Sequence, residues 1–164
     1  MYGANAYSGV INIVPKRVRD YIQPIAQARV GSFGSRDYTV QHRFQNDLGA
    51  GYFFSLEHQT SDGDDSRVIT QDLQTLNDMT FGTNASLAPG ALNTNYSVTN
   101  MVLNVENDSW SWNNWYWQNL GAGTGQGVAR ALDENGYADI KSFKSHLQYR
   151  SILDHQFSVE SNLT

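Results

Sequence analysis

Cysteine is absent from the 164 residues. Disulfide frameworks, thiolate zinc sites and iron–sulfur ligation are removed together, although no compartment is named by this. Charge is also scarce: Asp, Glu, Lys and Arg make up 16% of the chain, against about 25% in ordinary soluble domains. The formal net charge is −5, which leaves no basic surplus to neutralise phosphates, so nucleic acid is not expected as a partner. No apolar run approaches the roughly 20 residues of a membrane-spanning helix, the best being Val10-Ile11-Asn12-Ile13-Val14. The first residues lack the positive start and apolar stretch of a signal peptide, the nearest cations being Lys16 and Arg17. The chain is expected to be either cytosolic or an internal piece of a longer one. Its polarity comes from Asn, Gln, Ser and Thr, an unusual balance for a soluble surface.

What is present is strand. Period-two alternation marks segments 25–31, 37–45, 51–60, 97–106, 110–120, 142–152 and 156–163. Most are longer than the usual 5–6 residues and match the roughly 9–11 that a tilted strand needs to cross a bilayer. The one helical candidate is the short segment 128–134, which runs into the turn pair Asn135-Gly136. Connections at 46–50, 107–109 and 153–155 are tight, whereas 61–96 and 121–141 are long. In an up-and-down meander both long loops fall at one end and the tight turns at the other. Outer-membrane barrels share that asymmetry.

Parity sorts the charges. Tyr38, Val40 and Phe44 share one face of the second strand, and Tyr52, Phe54 and Leu56 one face of the third. Met101, Leu103 and Val105, then Phe143, Leu147 and Tyr149, then Phe157, Val159 and Leu163 continue the pattern. Arg29, Arg43, Glu57, Glu106, Lys144, Arg150 and Glu160 all take the opposite, polar face, as lumen-lining side chains of a barrel do. His42 falls on the apolar face and is expected to be neutral there. A half-buried soluble sheet also alternates in this way, so both readings stay open at this point.

The segment Trp110-Ser111-Trp112-Asn113-Asn114-Trp115-Tyr116-Trp117 follows a tight turn directly. Trp110 and Trp112 read as membrane-interface girdle residues; core packing in a soluble sheet and a stacking platform for sugars or bases are the alternatives. Trp115 and Trp117 change parity, so they face the lumen or follow a bulge at Asn113-Asn114.

Other constellations carry little. Asp62-Gly63-Asp64-Asp65-Ser66 has Arg67 and Leu73 where a calcium loop needs glycine and glutamate, and reads as a solvated loop. Gly121–Gly127 is glycine-dense but lacks the Gly-Lys-Ser/Thr ending of a phosphate loop, and is expected to be mobile. His42, His58, His146 and His155 are scattered, and no Ser-His-Asp order suggests catalysis. No enzyme activity, metal or cofactor is expected.

Tyr2-Gly3-Ala4-Asn5-Ala6, then Gly9-Val10-Ile11-Asn12-Ile13-Val14 and Lys16, resemble the end of the plug domain of TonB-dependent outer-membrane receptors. There a Tyr-Gly-x-x-Ala segment leads through glycine into a Val-Ile-Asn-Ile strand and a lysine. Ser8 stands where a second glycine is common and Pro15 where threonine is usual. The glycines permit tight backbone, and the β-branched strand suits burial on both faces. The resemblance implies that residues 1–17 are the C-terminal end of a plug and 18–164 the N-terminal part of a receptor β-barrel. The fold expected is all-β: an antiparallel meander of about seven strands of a larger transmembrane barrel, preceded by the last plug strand. The implied function is active uptake of a scarce nutrient, a siderophore, cobalamin or an oligosaccharide, across the outer membrane of a Gram-negative bacterium. The implied partners are the TonB complex, acting through parts outside this chain, outer-membrane lipid and a small-molecule substrate. A soluble or surface β-sheet module that binds glycans through 110–117 is the second expectation.

Overall fold

The computed structural model describes residues 23–152 and 158–163; the plug-like residues Tyr2, Gly3, Ala6, Gly9, Val10, Ile11, Asn12 and Ile13 lie outside that span. The elements are β1 (Ile25–Val30), β2 (Arg36–Gln45), β3 (Gly51–Ser61), β4 (Val68–Ile69), α1 (Leu73–Phe81), β5 (Gly90–Ala91), β6 (Tyr96–Glu106), β7 (Trp110–Gly123), β8 (Tyr137–Ile152) and β9 (Ser158–Leu163). Seven strands form one antiparallel sheet in the order β1-β2-β3-β6-β7-β8-β9. It is an all-β meander, open at β1 and β9 and not closed into a barrel. The small β4–β5 ladder stands apart from it.

Side-chain hydrogen bonds set the tight turns. Asn46 Oδ1 accepts the N–H groups of Leu48 and Ala50 at 3.1 and 2.9 Å, while Gly49 supplies a left-handed φ of 80° that a larger residue would resist. Asn107 Oδ1 likewise accepts from Ser109 and Trp110, both at 2.9 Å. These two turns lie at one end of the sheet. At the other end are the Gly31–Ser35 turn and both long loops.

Antiparallel partners share a face, so the register defines two surfaces. On the first, Phe44, Tyr52, Val105, Trp112 and Leu147 form one continuous row, with Trp110 and Tyr149 paired beside it towards the tight turns. The row Leu56, Met101, Tyr116 and Phe143 lies further out. This apolar surface is the more exposed of the two. Along β2, Tyr38, Val40, His42 and Phe44 are exposed, while Asp37, Thr39, Gln41 and Arg43 between them are half-buried or buried. Phe143 retains 67% of its accessible surface. No described element packs over it, and the buried apolar residues among those described are Ala122 and Leu132. A water-soluble sheet buries its apolar face under a second layer; here no described element supplies one.

The long loops fold against each other. Helix α1 has Asp72 as its N-cap, with the reciprocal Thr75 bond of a capping box, and Gly82 (φ 67°) as its left-handed C-cap. Segment 128–134 is not a helix: a single 3-10 turn covers Val128–Arg130, and positive φ at Ala129 and Arg130 prevents continuation. Gly121–Gly127 is not a free loop either. Gly121 and Gly123 belong to β7, Gly125 bridges Asn93, and the β7–β8 register shifts between Asn119 and Ala122, where Gly121 has a φ of 59°.

Candidate functional site

The register brings Arg29, Arg43, Glu57, Glu106, Lys144 and Arg150 onto the second, polar surface. Glu160 pairs with Arg150 along the β8–β9 ladder. Arg29 forms an ion pair with Asp37 near the long-loop end. The Arg43 guanidinium lies 5.1 Å from the Phe53 ring centroid, and Lys144 Nζ lies 5.4 Å from that of Trp115. Glu57 Oε1 accepts from Gln59 Nε2 at 2.8 Å. The charges are therefore spread along the polar surface rather than gathered into one charged centre.

Trp115 and Trp117 share this polar surface. Residues 113 and 114 pair without interruption with His146 and Ser145, so no bulge intervenes and alternation alone turns these indoles away from Trp110 and Trp112. Trp115 Nε1 donates to Asn100 Oδ1 at 2.8 Å, which fixes its ring orientation. A cavity of about 300 Å³ beside it is lined by Asn104, Asn113, Trp115, Lys144 and His146 among others.

Trp110 and Trp112 take the opposite surface with Phe44, Tyr52 and Tyr149, at the tight-turn end. The Phe44 and Tyr52 rings stack at 4.6 Å and 9°, and His42 stacks on Phe44 at 5.9 Å. Polar groups on this surface are tied internally. Trp112 Nε1 donates to Ser145 Oγ at 3.0 Å, Ser145 Oγ to Asn114 Oδ1 at 2.8 Å, and Asn114 Nδ2 to the Leu103 carbonyl at 3.3 Å. Internal pairing of this kind is what an apolar surrounding demands.

The two long loops form a polar-knit cap that sequence reading missed. Asp72, 4% exposed, accepts from Thr75 N, Thr75 Oγ1 and Ser86 Oγ through Oδ1 and from Leu132 N through Oδ2. The Leu132 bond, foremost, holds its carboxyl well below the usual range. Asp78 is lowered to about 2, first by Thr83 and then by the backbone N–H of Ser86. Asn93 Nδ2 reaches the carbonyls of Glu134 and Gly136 at 3.2 and 2.9 Å. The signals for this were Asp72 three residues before Thr75 and the terminal Gly82; the cross-loop partners left no local trace.

Among the described residues no group of three or more His, Asp or Glu could hold a metal, and no helix is long and apolar enough to cross a membrane. No protein family, curated protein or solved structure compared with the chain matches it.

Proposed function

We propose that this chain is part of an outer-membrane active transporter, energised through TonB, that takes up a scarce nutrient. The observation that carries the reading is the apolar surface of the sheet, which no described element covers, with Phe44, Tyr52, Trp110, Trp112 and Tyr149 gathered at its tight-turn end. In lipid that surface is solvated by acyl chains, and the aromatic row sits at the headgroup level. The less exposed polar surface then faces the lumen, with Arg43, Glu57, Glu106 and Lys144 on its wall. Strands β2, β3, β6, β7 and β8, of 10, 11, 11, 14 and 16 residues, are long enough to cross. The plug-like motif within residues 1–17 supports the same assignment, and its resemblance to the family is the ground for naming TonB, which would act through parts outside this chain.

Two open strand edges in lipid would leave backbone groups unpaired at several kcal/mol each, so the transporting unit needs further strands to close the barrel. The test is uptake by a full-length receptor containing this chain. Energy-dependent accumulation of a nutrient that disappears on deletion of TonB is expected. Unchanged uptake without TonB would indicate a passive pore. Folding of residues 1–164 as a soluble monomer with sugar affinity would favour the glycan-binding module instead.

A further inference from the structure

Helix α1 turns its polar side into the cap and its apolar side outward. Thr75 bonds Asp72 and Ser86, and Asp78 accepts from Gln74, Thr83, Ala85 N and Ser86 N, so hydrogen bonds hold the inward side in place. Leu73, Leu76 and Met79 recur at every third residue on the other side, and all three are exposed, as is Phe81 at the helix end. Residues three apart share a helix face. Asn77 and Thr80, which lie on that side with them, are uncharged. The result is a rigid apolar stripe on a polar cap, the kind of exposed surface that marks an interaction site.

Charge decides what the stripe fits. Segments 62–95 and 124–136 hold seven carboxylates against Arg67 and Arg130, so they carry the whole formal net charge of −5 while the rest of the chain balances. The donors to Asp72 and Asp78 are neutral groups, which fix those carboxylates without cancelling their charge. Asp65 and Glu134 line one open recess, and Glu134 is two residues beyond the Leu132 that Asp72 ties to the start of α1. A second copy of the chain would set like charge against like, and anionic headgroups would be repelled in the same way. We propose that α1 and its acidic surround dock a cationic amphipathic segment of another protein. The segment is a helix of about three turns, the length that matches α1. Its apolar stripe packs on Leu73, Leu76 and Met79, and its Lys or Arg side chains reach Asp65 and Glu134. The inference does not rest on the transporter reading, because the cap is built the same way whatever solvent meets the sheet.

The experiment uses the full-length protein containing this chain, held in nanodiscs of zwitterionic lipid, with empty discs as the blank. Fluorescence anisotropy compares three labelled peptides: an amphipathic helix of Leu and Lys, the same helix with Glu in place of Lys, and a scramble of the first that keeps its charge and loses its stripe. The Leu and Lys helix is expected to bind at least about ten-fold more tightly than either of the others. Leu76→Gln combined with Met79→Gln should weaken it by at least about ten-fold. Both side chains are exposed, so hydrogen exchange of 72–86 should stay unchanged in that variant. Asp65→Asn combined with Glu134→Gln should weaken binding by about five-fold and flatten its dependence on salt. Equal binding of the scramble, tighter binding of the Glu peptide, or unchanged affinity in the Leu76 and Met79 variant with its exchange intact would overturn the inference. So would protection of Leu76→Cys from a maleimide in the peptide-free protein, which would show that the rest of the chain covers the stripe.

Discussion

The carboxylate of Asp72 accepts the backbone N–H of Leu132 at 2.7 Å across 60 residues of sequence. Its other oxygen is occupied by Thr75 and Ser86 from its own loop, so one side chain both caps a helix and joins two loops. Asp72→Asn replaces one acceptor oxygen with an amide, and the geometry that satisfies Thr75 N places that amide against the Leu132 N–H. Hydrogen exchange of peptides covering 124–136 should then quicken by about ten-fold, the equivalent of one lost hydrogen bond. Unchanged exchange there, with faster exchange confined to 72–86, would show that the loops are not joined through this residue.

The same carboxylates set an acid limit on the cap. Asp72 and Asp78 have folded pKa values below their ordinary one, so the unfolded loop binds protons first. Their stabilisation is fully present above about pH 4 and is lost as the pH falls through the folded values, about 2 for Asp78. An acid-active protease should leave 62–95 uncut at pH 4 and cut it near pH 2. Equal cutting at both, or resistance persisting at pH 1, would contradict this sign.

The strands were legible because alternation is local. Segments 37–45, 51–60 and 97–106 differ by one residue at one end from β2, β3 and β6, whose Tyr-x-Val and Phe-x-Leu spacing states which face is apolar. β7 and β8 run further than alternation shows, through Gly121–Gly123 and Tyr137–Lys141. There pairing is supported by distant groups: Asn95 on the Gly121 carbonyl and Asp139 on the Gly121 N–H. Helix α1 was missed for a related reason. Its Leu73, Leu76, Met79 and Phe81 are exposed, so it has no buried stripe to betray its period, and its Thr75 replaces the Glu of the usual capping signature. The polar-wall residues were readable from parity; the side on which Trp115 stands needed the uninterrupted register beside His146.

Close approach gives a third expectation. A Cβ on Gly123 would lie 2.3 Å from the Asn93 carbonyl oxygen, whereas one on Gly49 would meet nothing within 4 Å. Gly123→Ala should therefore force apart the Gly123 N to Asn95 O bond and the Gly125–Asn93 bridge, destabilising the cap by about 1–3 kcal/mol. Gly49→Ala carries only its left-handed strain, about 1 kcal/mol. Hydrogen exchange of 121–127 compared between the two variants distinguishes them. Equal protection of that segment would show that the loops tolerate the methyl group by moving.

Neighbouring residues on opposite surfaces test the membrane assignment most directly. Leu103 is exposed on the apolar surface between Phe54 and Asn114, and Asn104 lies on the polar one between Phe53 and Asn113. On the membrane reading, a lysine introduced at Leu103 would place a charge among acyl chains near mid-span, at a cost of about 2–4 kcal/mol in a barrel. On the same reading, the same lysine at Asn104 would enter the lumen-facing surface that already holds Lys144 and Arg43, and would cost little. In the full-length receptor, Leu103→Lys should lower the yield of heat-modifiable folded barrel and its midpoint in urea, while Asn104→Lys assembles normally and at most alters substrate affinity. The two changes add the same charge one residue apart, so general effects of net charge or strand propensity cancel between them. Equal tolerance would mean that water meets both surfaces, and the sheet would not be a membrane wall.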